Sequence, residues 1–337
     1  MELKYNSRSV MPLMGSAFEA GHAADVINEI SDEGERDIAT AEMYYFSGEA
    51  EKCAELAGRY IENEDISLRI SADMMYTFSN LTLGDAEAAQ RSREDIKNCI
   101  KWAMASDAGD EVKAYCLFAS YISMVLLHIQ PDGLPDLGEY NRYLPTGIRL
   151  YAVYVLAHDA YLCGEYAKAL GMAQSALMLS DREYPIAMIY LRCIIAMCQI
   201  NLKSQDEAKE TIHEAWEMAR KDGFLEPFIE HHGPLQGSLE SCIRKSEPQV
   251  YKLLVDRVIA FSRGWMKIHN PEAQKTVTSL LTPMEFSIAM LACRDWTNQE
   301  IADYLEMSVN TVKHYVSAIL EKLNVDKRDK LKEYVNQ

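Results

Sequence analysis

The chain is short of positive charge, of paired cysteines, of long apolar runs and of the glycine-rich signatures that mark nucleotide or acyl chemistry. Its 337 residues carry 34 Lys and Arg against 51 Asp and Glu, a net charge of −17. So acidic a balance argues against a protein that coats nucleic acid or membrane surfaces through bulk electrostatics. Eight cysteines, at positions 53, 99, 116, 163, 193, 198, 242 and 293, form no CxxC pair. Residues 1–20 lack the uninterrupted apolar core of a signal peptide, so the cysteines are expected as reduced, small buried hydrophobes. A redox-sensing thiol is the alternative. The longest apolar stretch, 116–129, contains Ser120, Ser123 and His128 and is too short to span a bilayer. The chain is therefore expected to be cytoplasmic and to have no membrane partner.

Motifs for catalysis are also missing. There is no GxxxxGKS/T phosphate loop, GxSxG elbow, HExxH helix or Rossmann glycine run, and no βα alternation of a phosphoacceptor receiver domain. His231 and His232 have no third or fourth ligand at zinc spacing, so they read as incidental loop histidines. No catalytic residue, metal or organic cofactor is expected, and the chain is not expected to be an enzyme.

What is present is helix. Apolar content of 48% and charged content of 25% are ordinary for a globular protein, and the length allows two or three domains. Residues 17–269 show helical patterning without candidate strands. They also carry an internal period. Gly48, Cys53 and Tyr60 are echoed by Gly84, Ala89 and Ile96, by Gly164, Ala169 and Ala176, and by Lys203, Ala208 and Ala215. Seven residues before each turn stand Ala41, Thr77, Ala157 and Ala196, small enough for paired helices to approach closely. The turns are separated by 36, 80 and 39 residues, so one repeat lacks its signature between 84 and 164. This pattern resembles tetratricopeptide repeats, which stack into a superhelix in which each unit covers its neighbour.

In the irregular repeat, residues 111–129 supply a first helix. Residues 130–147 then hold three prolines and three glycines, which preclude an ordinary continuous helix. Such an inserted loop is either a plain connector with a short helix or a lid at a binding face. In the second case Tyr140, Arg142 and Tyr143 are its candidate effector residues. Further on, Pro248 opens a helix expected over about 249–267 that caps the repeats, and the polar residues 270–280 read as a linker.

The last fifth of the chain organises the rest. Thr282 with Glu285, and Thr297 with Glu300, are capping boxes, the first with Pro283 at the opening helical position. Ser308 precedes a third helix, expected over about 309–323, and Asp326 a fourth. Only residues 306–308 separate the second and third helices, the short turn of a helix-turn-helix. On the third helix, Val312, Val316, Ile319, Leu320 and Leu323 form one apolar stripe, expected to pack on Phe286, Ile288, Ala289, Ile301 and Leu305. The opposite face carries Asn310, Lys313, His314, Ser317 and Glu321, side chains suited to base edges.

This stretch resembles the LuxR-type DNA-binding domain. The matching residues are Leu281, Thr282 and Glu285; Thr297, Asn298, Glu300, Ile301 and Ala302; Leu305 and Ser308; Thr311, Val312 and Lys313; Ile319, Lys322, Leu323, Val325 and Arg328. The resemblance implies a four-helix unit whose third helix lies in the major groove and whose fourth supplies a dimer contact. It implies base contacts from Lys313, His314 and Ser317 and phosphate contacts near Thr297, Asn298 and Thr311. Ser308, Asn310 and Lys322 complete the candidate DNA-binding set. Met284, Asp295, Gln299 and Tyr315 depart from the family pattern, the first three replacing an arginine, a glycine and a basic residue. Residues 281–337 hold seven Lys and Arg and nine Asp and Glu, 7 − 9 = −2, which leaves −17 + 2 = −15 on the remainder. DNA affinity rests largely on neutralised phosphates, so a weak electrostatic binder is expected.

The expected architecture is all-α. Residues 1–269 form a tetratricopeptide-like sensor or interaction domain, 270–280 the linker and 281–337 the helix-turn-helix domain. The expected function is a bacterial transcriptional regulator. Its partners would be double-stranded DNA, a second copy as homodimer on DNA, RNA polymerase, and a small-molecule, peptide or protein effector on the repeats. The competing expectation is an interaction scaffold whose helix-turn-helix no longer holds DNA tightly.

Overall fold

A computed structural model describes residues 3–127, 133–235, 238–243, 246–269, 280–293, 296–305 and 307–331. Among them helices are joined by turns, with no strand beyond a single bridge between Lys4 and Asp65. The predicted linker, apart from Leu280, and residues 332–337 lie outside the described residues.

Four helical hairpins make up most of the body: α3 (Glu33–Phe46) with α4 (Ala50–Ala57), α5 (Ile66–Leu83) with α6 (Ala86–Ala105), α9 (Thr146–Leu162) with α10 (Tyr166–Leu179), and α11 (Pro185–Asn201) with α12 (Gln205–Ala219). Each turns by the same device. Gly48, Gly84, Gly164 and Lys203 sit in the left-handed region at φ of 74°, 73°, 78° and 64°. In each turn that residue's N–H donates three residues back, and the next N–H donates five back, as in Gly164 to Tyr161 and Glu165 to Ala160, both 2.9 Å. These paired bonds satisfy the last carbonyls of the first helix. Glycine takes the left-handed conformation without strain; Lys203 takes it against its Cβ.

The small residues of the period are where the helices touch. Ala41, Thr77, Ala157 and Ala196 are fully buried, as are Cys53, Ala169 and Ala208, with Ala89 nearly so. First helices also contact one another along the chain, α3 with α5 and α9 with α11. The irregular repeat contributes α7 (Asp110–Val125), after which α8 (Leu137–Tyr140) and a 3-10 turn at Asn141–Tyr143 replace a second long helix. Residues 128–132, the end of the predicted first helix and the start of the predicted loop, lie outside the described residues.

Two short helices frame this core at its start, α1 (Pro12–Gly15) and α2 (Ala23–Glu29). After the hairpins come α13 (Glu226–Glu230), α14 (His232–Leu235), α15 (Ser238–Ile243) and α16 (Pro248–His269), the last packed against α5, α13 and α15. His231 and His232 correct the expectation of an incidental loop: both are buried. His231 makes one bond to the Tyr154 hydroxyl (2.8 Å) and one to the Pro227 carbonyl (2.6 Å), so it ties α13 to α9. Buried polar groups need such partners. Among the described residues no group of three or more His, Cys, Asp or Glu is placed to hold a metal ion. None of the described helices is long and apolar enough to cross a membrane.

Six cysteines are buried, Cys242 is half-buried and Cys163 is exposed. Burial raises the thiols of Cys53, Cys99, Cys116, Cys193 and Cys198, those of Cys53, Cys116 and Cys198 to about 12, which leaves them protonated and unreactive.

Candidate nucleic-acid interface

Three helices form the C-terminal unit: α17 (Pro283–Cys293), α18 (Asn298–Tyr304) and α19 (Val309–Lys322). Both predicted capping boxes close. The Thr282 N–H donates to Glu285 (2.8 Å) and the Glu285 N–H to the Thr282 hydroxyl (3.3 Å). Thr297 and Glu300 do the same at 2.7 and 3.2 Å. The Ser308 hydroxyl accepts from the Thr311 N–H at 3.0 Å. At the far end of α19, Asn324 adopts φ 54° and the Val325 N–H donates to the Leu320 carbonyl (2.9 Å), a left-handed stop that asparagine tolerates.

Val312 and Ile319 are fully buried, Val316 and Leu323 nearly so, in a cluster with Ile288, Ala289, Ile301, Leu305 and Trp296. The Phe286 side chain, predicted in this core, lies outside the description. With that stripe fixed inward, Asn310, Lys313, His314, Ser317 and Glu321 are all exposed in one row. Thr297 and Thr311 are exposed beside helix starts, where backbone N–H groups and the helix dipole favour a phosphate.

Other members of the candidate set have work inside the unit. Lys322 reaches across 37 residues to Glu285, its ammonium 2.6 and 2.8 Å from the two carboxylate oxygens. Burial would raise the Glu285 carboxyl, but Lys322 and the Thr282 N–H and hydroxyl override it and hold it below the usual range. Arg328 donates to the Asn298 side-chain oxygen (2.7 Å) and to the Trp296 carbonyl. Asn298 is thus oriented by the segment that follows α19. The predicted fourth helix begins as a 3-10 turn, Arg328–Leu331, with Asp326 paired to Lys330 at 2.7 Å. Of the four departures from the family pattern, Asp295 lies outside the described residues.

The unit is also seated on the repeats, which the sequence did not foretell. Tyr304, fully buried, donates its hydroxyl to the Leu235 carbonyl at 3.2 Å and packs edge-on against Trp296. The Lys209 ammonium lies 5.8 Å from the Tyr304 ring, and Lys203 pairs with Glu300 at 3.3 Å. Ile200 and Ala208 of the last hairpin join the same apolar cluster as the unit's core. The row on α19 stays exposed in this arrangement.

In the body, Tyr140 and Tyr143 stand 6.4 Å apart and Arg142 donates to the Tyr143 hydroxyl at 2.7 Å, while its guanidinium lies over that ring. The three candidate effector residues are therefore together, with Arg142 exposed and both tyrosines half-buried. They lie far in the chain from a buried acidic centre. There Glu230 accepts from the Tyr45 and Tyr190 hydroxyls, and burial pushes both Glu226 and Glu230 upward. The adjoining cavity, lined among others by Met14, Met74, Phe78, Tyr151 and Glu230, measures about 10 Å³, room for about one water.

No curated protein and no solved structure matches the chain. Residues 279–335 match the family described as "Bacterial regulatory proteins, luxR family", and the chain therefore carries a LuxR-type helix-turn-helix domain over those residues.

Proposed function

We propose that this is a one-component, cytoplasmic bacterial regulator that binds an inverted repeat as a homodimer, with α19 in the major groove. Lys313, His314 and Ser317 read base edges, with Asn310 beside them. Thr297, Asn298, Ser308 and Thr311 hold the phosphate backbone, and two copies place half-sites roughly 34 Å apart. The observation that carries the reading is the exposed row on α19, opposite a stripe locked into the unit's core and capped at both ends.

The hairpins act as tetratricopeptide-like repeats that take up an effector or partner, and the bound unit recruits RNA polymerase. Effector control requires the ligand to favour one arrangement of repeats and DNA-binding unit over another. The contacts at Tyr304, Glu300 and Ile200 supply a seat through which such a preference can act. The Tyr140–Arg142–Tyr143 cluster is the first candidate to take up such an effector.

The test is selection of genomic DNA fragments by the full-length protein at two salt concentrations. Lys313→Ala should cost about 1–3 kcal/mol at the selected site if Lys313 contacts a base. Equal loss on every sequence would assign it to phosphate instead. The net −2 of residues 281–337 favours the second reading, a scaffold with little hold on DNA. Absence of enrichment by both the full chain and residues 270–337 would support that reading.

A further inference from the structure

The second helices of the hairpins face outward, and their outer surfaces differ sharply in charge. Helix α6 carries seven Asp, Glu, Lys or Arg and α12 carries six, whereas α10 carries only Lys168. From 169 to 180 no residue is charged, in a chain where a quarter of residues are. At the end of this stretch, Met178 and Leu179 are 78% and 79% exposed; the other exposed large apolar residues described reach 37–45%. Isolated exposed apolar residues are ordinary, but an uncharged apolar face marks an interaction site.

Ala167, Gly171, Gln174 and Met178 follow the spacing i, i+4, i+7, i+11, and all four are exposed, so they form one exposed line of α10, beside Lys168, Ser175 and Leu179. Gly171 is mid-helix, where glycine is destabilising relative to alanine. A Cβ added there meets nothing within 4 Å. Nothing inside the protomer calls for a glycine, so a close approach from outside is the remaining physical use for it.

We propose that α10 is the body's homodimer face, pairing antiparallel with α10 of a second copy across a two-fold axis. Charge and shape both favour a second copy as occupant. Two chains at −17 repel over most of their surface, and the stretch 169–180 offers a contact that carries no charge. The line is self-complementary under a two-fold between 172 and 173. Met178 falls opposite Ala167 of the other copy, and Gln174 opposite Gly171, large against small on both sides. An isologous contact has this property of matching itself. One helix face falls short of the ~800 Å² per partner of a standard interface, so the body dimer is weak alone and is reinforced where two DNA-binding units share a site.

Sedimentation velocity of the full-length protein at tens of micromolar tests this. The wild type should sediment as a dimer. Gly171→Arg should raise the dissociation constant at least about tenfold without lowering the thermal midpoint, since the position is open in the protomer. Ala167→Lys and Met178→Glu should each weaken the dimer, and the combined variant should restore it, because the two-fold sets those positions opposite each other twice. A monomeric wild type, a Gly171→Arg dimer, or a combined variant no better than its parents would overturn the proposal. Binding of wild type and Gly171→Arg to a single half-site separates this from the DNA-binding reading. Loss of dimer with half-site binding intact supports the interface, and failure of both proteins on DNA counts against the regulator alone.

Discussion

Lys322 stands in the candidate DNA-binding set, yet its ammonium is held by Glu285, and the two roles predict different losses. The Glu285 side chain is 8% exposed and Lys322 is 40% exposed, so the pair is neither a free surface ion pair nor a fully buried one. Surface pairs contribute about 0.2–1 kcal/mol, and breaking a buried pair costs about 3–5 kcal/mol. Discounting for the exposure of Lys322, the coupling between the two should be about 1 kcal/mol. Glu285→Ala also removes the acceptor of the Thr282 N–H, worth about 1 kcal/mol as a cap, for a total near 2 kcal/mol. Lys322→Ala leaves the carboxylate its Thr282 bonds and should cost about 1 kcal/mol. A double-mutant cycle on denaturant unfolding of the full chain measures the coupling. The pH dependence has a fixed sign. The Glu285 carboxyl lies below its usual value in the folded state, so its stabilisation is present above the ordinary carboxylate range and is lost as pH falls through that range to the lowered value. On DNA, an internal brace leaves the salt dependence unchanged when removed, whereas loss of a phosphate contact reduces the slope by about one. Coupling indistinguishable from zero, together with a salt slope reduced by one, would refute the bracing role and return Lys322 to the DNA.

Two further outcomes follow from the turns and the seat of the DNA-binding unit. Lys203→Gly should stabilise the protein by less than about 1 kcal/mol, because relief of the left-handed conformation at φ 64°, roughly 1 kcal/mol for a residue with a Cβ, is partly offset by loss of the exposed Lys203–Glu300 pair; a lower thermal midpoint would contradict it. Tyr304→Phe deletes one buried hydrogen bond to the Leu235 carbonyl, worth about 1 kcal/mol. Hydrogen exchange of the α18 amides should then rise about fivefold with that of α9 and α11 unchanged, and equal protection in both proteins would show that the hydroxyl does not hold the unit to the repeats.

Local chemistry determined much of this protein within the sequence. Thr, Ser and Glu at cap spacing set where α17, α18 and α19 begin. The stripe from Val312 to Leu323 determined which face of α19 turns inward and therefore that Lys313, His314 and Ser317 turn out. The recurring turn residue, followed after five positions by a small one, located four hairpins, because a left-handed stop and a close helix crossing each need a particular residue type at a particular place. Those signals lie within one helix or one turn, and so survive in a linear reading. What joins distant segments did not. Lys322 meets Glu285 across 37 residues, Arg328 meets Asn298 across 30, and Tyr304 meets Leu235 across 69; no spacing rule connects such pairs, and each side chain has an equally good solvent-facing use when seen alone. His231 was unremarkable as one of two adjacent histidines until the fold brought the Tyr154 hydroxyl of α9 to it. The charge-free stretch from 169 to 180 was present in the sequence, but only the tertiary structure decided that it faces outward, because a helix of that composition is equally suited to a core and its exposure depends on which neighbours the fold places over it.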